Sequence, residues 1–123
     1  MIFNYLNNIL FILLMDLTTN DSQRIRLRYP NRTPVLIFPQ NDIDPQLDKN
    51  KFLVPLDLLM SSLIVVVRNR LGLTKEKAIV FLIKKGTQLL IPHGDQLVGF
   101  LYDLYKDDRG FLVIRYFVEN AYG

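Results

Sequence analysis

The chain contains no cysteine and one histidine, His93. The first absence excludes a disulfide framework, a thiolate nucleophile and a cysteine metal site. The second argues against a histidine-rich metal site and a histidine-based triad. No basic residue precedes the apolar start, and no small-residue cleavage site follows it, so a secretory signal is not indicated. That apolar stretch also falls short of the roughly 20 residues needed to span a bilayer. Clustered basic and aromatic residues are missing, and a net charge of +3 does not require nucleic acid. Neither a paired-carboxylate arrangement nor a glycine-rich phosphate loop is present, so the sequence offers no active site. His93, between Pro92 and Gly94, reads as a surface turn residue, and Asp107-Asp108 as a solvated helix end. Internal repeats and low-complexity tracts are absent too.

What is there suits one globular domain. The 123 residues are half hydrophobic and 22% charged. The first 15, "MIFNYLNNILFILLM", hold 12 apolar residues, and the first charge is Asp16. Three readings are open for them: a helix packed on the domain, a membrane-inserting element, or a segment not made if translation starts at Met15. The organisation expected is an apolar extension over 1–16 and a domain over 17–123.

Along that domain, "LTTNDSQ" (17–23) reads as a loop or helix start, with Thr19, Asn20 or Ser22 as cap. Pro30 stops any helix formed by the basic run "SQRIRLRY". "TPVLIF" (33–38) is β-branched and apolar, a strand. "PQNDIDPQLDKN" (39–50) is a loop. "KFLV" (51–54) is a second strand, able to pair antiparallel with the first. "DLLMSSLIVVVRNRLGL" (57–73) has helical spacing, Asp57 as cap and Gly72 at its end, though "LIVVV" alone reads as strand. "KAIVFLIKK" (77–85) is a strand, and "LLI" (89–91) is a possible short one. "GDQLVGFLYDLYKDDRG" (94–110) reads as a helix capped by Asp95, striped by Leu97, Leu101, Leu104 and Tyr105, and ended by Gly110. "FLVIRYF" (111–117) is the last strand, suited to the sheet centre with a free tail beyond it. The order describes an α+β sheet with a helix on one face.

Four stretches then carry a resemblance. "RYPNRTPVLI", "LDKNKFLVPLDL", "RNRLGL" and the end "FLVIRYF" with "AYG" resemble the autophagy ubiquitin-like modifiers, the GABARAP-like family. The likeness runs from about Arg24 to Gly123. It implies a ubiquitin-like β-grasp with a four-stranded mixed sheet and an N-terminal helical extension, and it settles 57–71 as helix. The first 15 residues do not resemble the family's basic, aromatic N-terminal helix. Leu63 stands where the family has Phe, and Val66 and Val67 stand where it has Leu and Ile, so an altered peptide preference is expected.

The resemblance implies a non-enzymatic modifier without cofactor or metal. Gly123 is the residue conjugated to phosphatidylethanolamine, and Tyr122 presents it. Activating and conjugating enzymes of the autophagy cascade are the expected partners, with a deconjugating cysteine protease. Glycine suits the acyl transfer because it has no Cβ to obstruct a narrow channel. Two lipid chains then meet the requirement for stable anchoring to a membrane surface. On this reading the chain stops at Gly123 because that residue is the reactive end. The protein is expected in the cytoplasm and, after lipidation, on autophagosomes or related vesicles. Relatives in apicomplexan parasites also end in glycine, which leaves a plastid-like organelle membrane as an alternative. An unconjugated peptide-binding β-grasp module is another.

The resemblance also implies recognition of receptors and adaptors through aromatic-x-x-aliphatic motifs that add a strand at 51–54. Ile25, Pro34, Leu36, Lys51, Leu53 and Phe111 line the expected aromatic pocket. Phe52, Val54, Pro55, Leu58, Leu63 and Val66 line the aliphatic one. Alternation along the strand supports that division. Arg32, Lys49, Lys51 and Arg70 fit acidic residues beside such motifs, where they steer more than they strengthen.

Overall fold

The computed structural model describes residues 21–121. The elements are α1 (Asp21–Arg28), β1 (Arg32–Pro39), β2 (Lys51–Pro55), α2 (Met60–Leu71), β3 (Lys77–Lys85), β4 (Gln88–Leu90), α3 (Val98–Tyr105) and β5 (Leu112–Asn120). They build one mixed sheet in the order β2-β1-β5-β3-β4. β1 pairs antiparallel with β2 and parallel with β5, and β5 pairs antiparallel with β3. This is the expected β-grasp with five strands instead of four. The addition is β4, whose pairing with β3 is only three residues long.

The central position of β5 follows from its alternation. Leu112, Ile114 and Tyr116 are fully buried on one face, while Val113, Arg115 and Phe117 on the other are half-buried. The core lies on the first face. Val35, Ile37, Phe52, Val54, Leu63, Val66, Val67, Phe81, Ile83 and Leu101 pack there. Tyr116 also donates its hydroxyl to the Pro45 carbonyl. Buried Asp44 accepts the amides of Asn41 and Val118, each at 3.0 Å. The 40–50 connection is therefore tied to the central strand.

Gly72 ends α2 in the left-handed conformation, φ 65°, where a side chain is disfavoured. The expected caps are corrected. α2 begins after Leu59 and α3 after Leu97, both extended and without a side-chain cap, so Asp57 and Asp95 cap neither helix. Tertiary backbone bonds replace them: Met60 donates to Gln96 O and Val98 to Leu58 O, each at 2.8 Å. Two helix entries thus satisfy each other's terminal amides, an arrangement no local motif announces. The stripe read on α3 is corrected as well. Its buried face is Val98, Gly99, Leu101 and Tyr102, whereas Leu97 and Leu104 are exposed.

Candidate functional site

β2 forms one edge of the sheet; among the described residues its only strand neighbour is β1. The register places Pro34 opposite Leu53 and Leu36 opposite Lys51. Directly opposite residues share a face, so these four lie together. Val35 opposite Phe52 and Thr33 opposite Val54 take the other face. The Ile37 amide bonds Asn50 O at 2.8 Å and the Leu56 amide bonds Asn31 O at 3.0 Å. Pairs in an antiparallel ladder alternate between bonded and non-bonded. Leu53 therefore directs its backbone N–H and C=O away from β1.

The first face carries most of the expected aromatic set. α1 packs on β1 and buries Ile25. Phe111 precedes Leu112, which pairs with Val35, so alternation sets Phe111 beside Pro34. Both are buried, as is Leu36, and Lys51 is half-buried. The second face carries the expected aliphatic set against α2 and the turn before it. Phe52, Val54, Leu58, Leu63 and Val66 belong to the buried core cluster. Pro55 is buried too, but it pairs with Arg32 and so falls on the first face with Lys51 and Leu53, not with the aliphatic set. Leu63 is 0% and Val66 3% exposed, so both lie closed in the core.

The expected cations are distributed unevenly. Arg70 is exposed and meets Asp48 at 3.4 Å, a surface ion pair of small energetic weight. Lys49 and Arg32 are half-buried. The Arg32 Nη1 atom is buried without a hydrogen-bond partner among the described residues. Arg26 holds this corner by donating Nη1 to Arg32 O at 2.9 Å.

Sequence reasoning missed the α3–β5 turn. Asp107 is not a solvated helix end. Its carboxylate accepts the amides of Arg109 and Phe111 at 2.9 and 3.0 Å and the Arg109 guanidinium at 2.8 Å. Asp followed three residues later by Gly110 was the available signal. Gly110 has φ +87°, and a Cβ there would stand 2.7 Å from Ser22 Oγ. Ser22 in turn donates to Arg109 O. Between α1 and this turn lies an open cleft of ≈ 540 Å³, lined in part by Arg26, Leu27, Tyr102 and Lys106. Arg26 and Lys106 lie 5.3 and 5.6 Å from the Tyr102 ring centroid, both in cation–π range. Burial pushes the Tyr102 phenol above the usual tyrosine range; Arg26 opposes that, and Asp103 and Asp107 reinforce it.

At the other end of β5, the Ala121 amide bonds Glu76 O at 2.7 Å and Lys77 Nζ bonds Asn120 Oδ1 at 2.7 Å. Tyr122 and Gly123 lie outside the described residues. His93 is exposed, its amide bonded to Gln96 Oε1.

Comparison with known proteins agrees with this architecture. The family model "Autophagy protein Atg8 ubiquitin like" matches residues 18–123. Autophagy-related protein 8b of Arabidopsis thaliana is 37% identical over 110 residues, covering 89% of this chain and 87% of that protein. Autophagy-related protein 8 of Mycosarcoma maydis is 36% identical over 104 residues, covering 84% and 85%. The crystal structure of Trypanosoma brucei ATG8 superposes with a TM-score of 0.70 at 30% identity, covering 89% of this chain and 96% of that one. Plasmodium falciparum Atg8, solved in complex with a Plasmodium falciparum Atg3 peptide, gives 0.69 at 29%, covering 80% and 85%. A β-grasp with these strand registers and this extent of likeness leaves one conclusion: the chain belongs to the Atg8 family and is an autophagy ubiquitin-like modifier, not an enzyme.

Proposed function

We propose that this modifier is conjugated through Gly123 to phosphatidylethanolamine and acts in autophagosome formation. In its membrane-bound form it recruits receptors and adaptors along β2. Family membership is the observation that carries this reading. The Ala121 amide is bonded to Glu76 O at 2.7 Å, so the described end of the chain is tied to the sheet just before the residue proposed to be conjugated. Activating and conjugating enzymes act on the Gly123 carboxylate, and a cysteine protease reverses the conjugation. The Plasmodium relative's complex with an Atg3 peptide supports a conjugating-enzyme partner here.

Motif peptides add a strand to the outer side of β2, the Leu53 backbone serving as ladder partner. The peptide's aromatic side chain enters near Pro34, Leu53 and Phe111. Its aliphatic side chain enters by parting Leu63 and Val66 from Phe52. Val and Leu here, in place of larger residues, set the shape of that pocket. The protein works in the cytoplasm and on autophagosomal membranes. The plastid-like alternative gains no support from the relatives and is set aside.

The test is reconstituted lipidation with activating and conjugating enzymes, ATP and phosphatidylethanolamine liposomes. A gel shift and liposome flotation that vanish in Gly123→Ala are the expected result. No shift from a folded wild type, with enzymes active on a control modifier, favours an unconjugated peptide-binding module instead.

A further inference from the structure

We propose that the outer face of α3 is the docking site for the apolar residues 1–15 of the same chain. Leu97, Phe100 and Leu104 recur at i, i+3 and i+7, which places them in one stripe. They are 43%, 54% and 46% exposed. Leu59, 41% exposed, extends the stripe, because it forms an antiparallel bridge with Leu97. The opposite face of α3 is buried in the core. This helix is therefore apolar on both sides, whereas a surface helix ordinarily turns polar residues to solvent. A contiguous exposed apolar patch marks an interaction surface.

The occupant follows from the chain that precedes the described residues. Residues 1–15 hold 12 apolar side chains and no charged one, so burying their side chains desolvates no ion. At helical spacing Asn4, Asn7 and Asn8 share one side, and Ile2, Leu6, Ile9 and Leu13 share the other. The point of entry is equally specific. Ser22, at the start of α1, bonds Arg109 O, and the Tyr102 hydroxyl of α3 bonds Gly110 O at 2.7 Å. The chain thus enters the domain beside the C-terminal end of α3. Residues 16–20 span at most about 17 Å. A helix with its side chains is about 10–12 Å across, so residues 1–15 reach around α3 to its outer stripe. The stripe runs about 10 Å along the helix, enough for two turns of a partner helix.

The absence of native cysteine makes the test direct. The full chain from Met1 carries Leu6→Cys together with Phe100→Cys, and mild oxidation joins thiols held close together. The expected product is an intramolecular disulfide in a monomer. A control pairing Leu6→Cys with Glu119→Cys, about 23 Å further along β5 from its start, stays unlinked. A disulfide-linked dimer as main product overturns the proposal in favour of a second copy. No link at all, with residues 1–15 required for flotation on vesicles in the absence of conjugating enzymes, overturns it in favour of the bilayer. Amide exchange of unmodified protein gives an independent reading. Starting the chain at Met15 is expected to speed exchange over 98–105 about tenfold, and Phe100→Gln with Leu104→Gln to reproduce that change. Unchanged exchange overturns the proposal.

Discussion

The Phe111 amide donates to the Asp107 carboxylate at 3.0 Å, and that bond connects the end of α3 to the aromatic side of the proposed groove. The same carboxylate holds the Arg109 amide. Asp107→Ala orphans both amides at a half-buried site, which costs about 1–3 kcal/mol. The thermal midpoint should fall by about 5–15 °C. Peptide affinity should fall with it, because Phe111 loses its anchor. A midpoint equal to that of the wild type would show that water replaces the carboxylate without loss.

Gly123 lies beyond the Ala121–Glu76 bond, so Gly123→Ala should leave unfolding by urea unchanged within about 0.5 kcal/mol while ending lipid conjugation. Glu76→Ala is a useful companion because the bond uses the Glu76 carbonyl, not its side chain. It should leave conjugation intact. A conjugation rate that fell with Glu76→Ala would point instead to a role of that side chain in enzyme contact.

Lys51 stands opposite Leu36 at the edge proposed to receive an acidic-flanked peptide. Lys51→Glu should lower the affinity of such peptides by about tenfold at low salt, mainly through slower association, and less at high salt. Titrations at two ionic strengths check this. Leu53→Ala is the poorer probe: Leu53 is 1% exposed, and truncating such a side chain costs about 2–5 kcal/mol of stability. Equal affinities of wild type and Lys51→Glu at both salts would remove Lys51 from the site.

Tyr102 and Tyr116 set an alkaline limit. Burial pushes both phenols above their usual pKa; for Tyr116 the hydrogen bond with the Leu47 backbone opposes the shift and Asp44 adds to it. The folded state therefore favours the neutral phenol. The stability this confers is complete below the unfolded value near 10 and is lost as pH rises through the raised folded value. Urea midpoints should be flat from about pH 7 to 9 and fall above about 10. Tyr102→Phe should flatten that fall while costing about 1 kcal/mol at neutral pH for the bond to Gly110 O. An identical alkaline slope in the variant would remove Tyr102 from the alkaline limit and leave the loss to Tyr116 and the lysines.

Much of this architecture was legible because its signals are local. "KAIVFLIKK" forms β3 over the residues its β-branched pattern marks, and Gly72 ends α2 as the chemistry of left-handed caps requires. Pro30 closes α1, and the alternation of Lys51 and Leu53 against Phe52 and Val54 divides the faces of β2 as read. The caps and the α3 stripe were misread because Asp57 and Asp95 are good local caps that lost to a nonlocal alternative. Met60 and Val98 found acceptors across the Leu59–Leu97 bridge, 38 residues apart in sequence. By itself the sequence determined the family, the β1–β2 pair and the central place of β5, since periodicity and motif spacing act over a few residues. Only tertiary packing decided that Leu63 and Val66 lie closed in the core while Leu97, Phe100 and Leu104 face outward. Which apolar side chains are covered depends on what the sheet already fills, and no single helix encodes that.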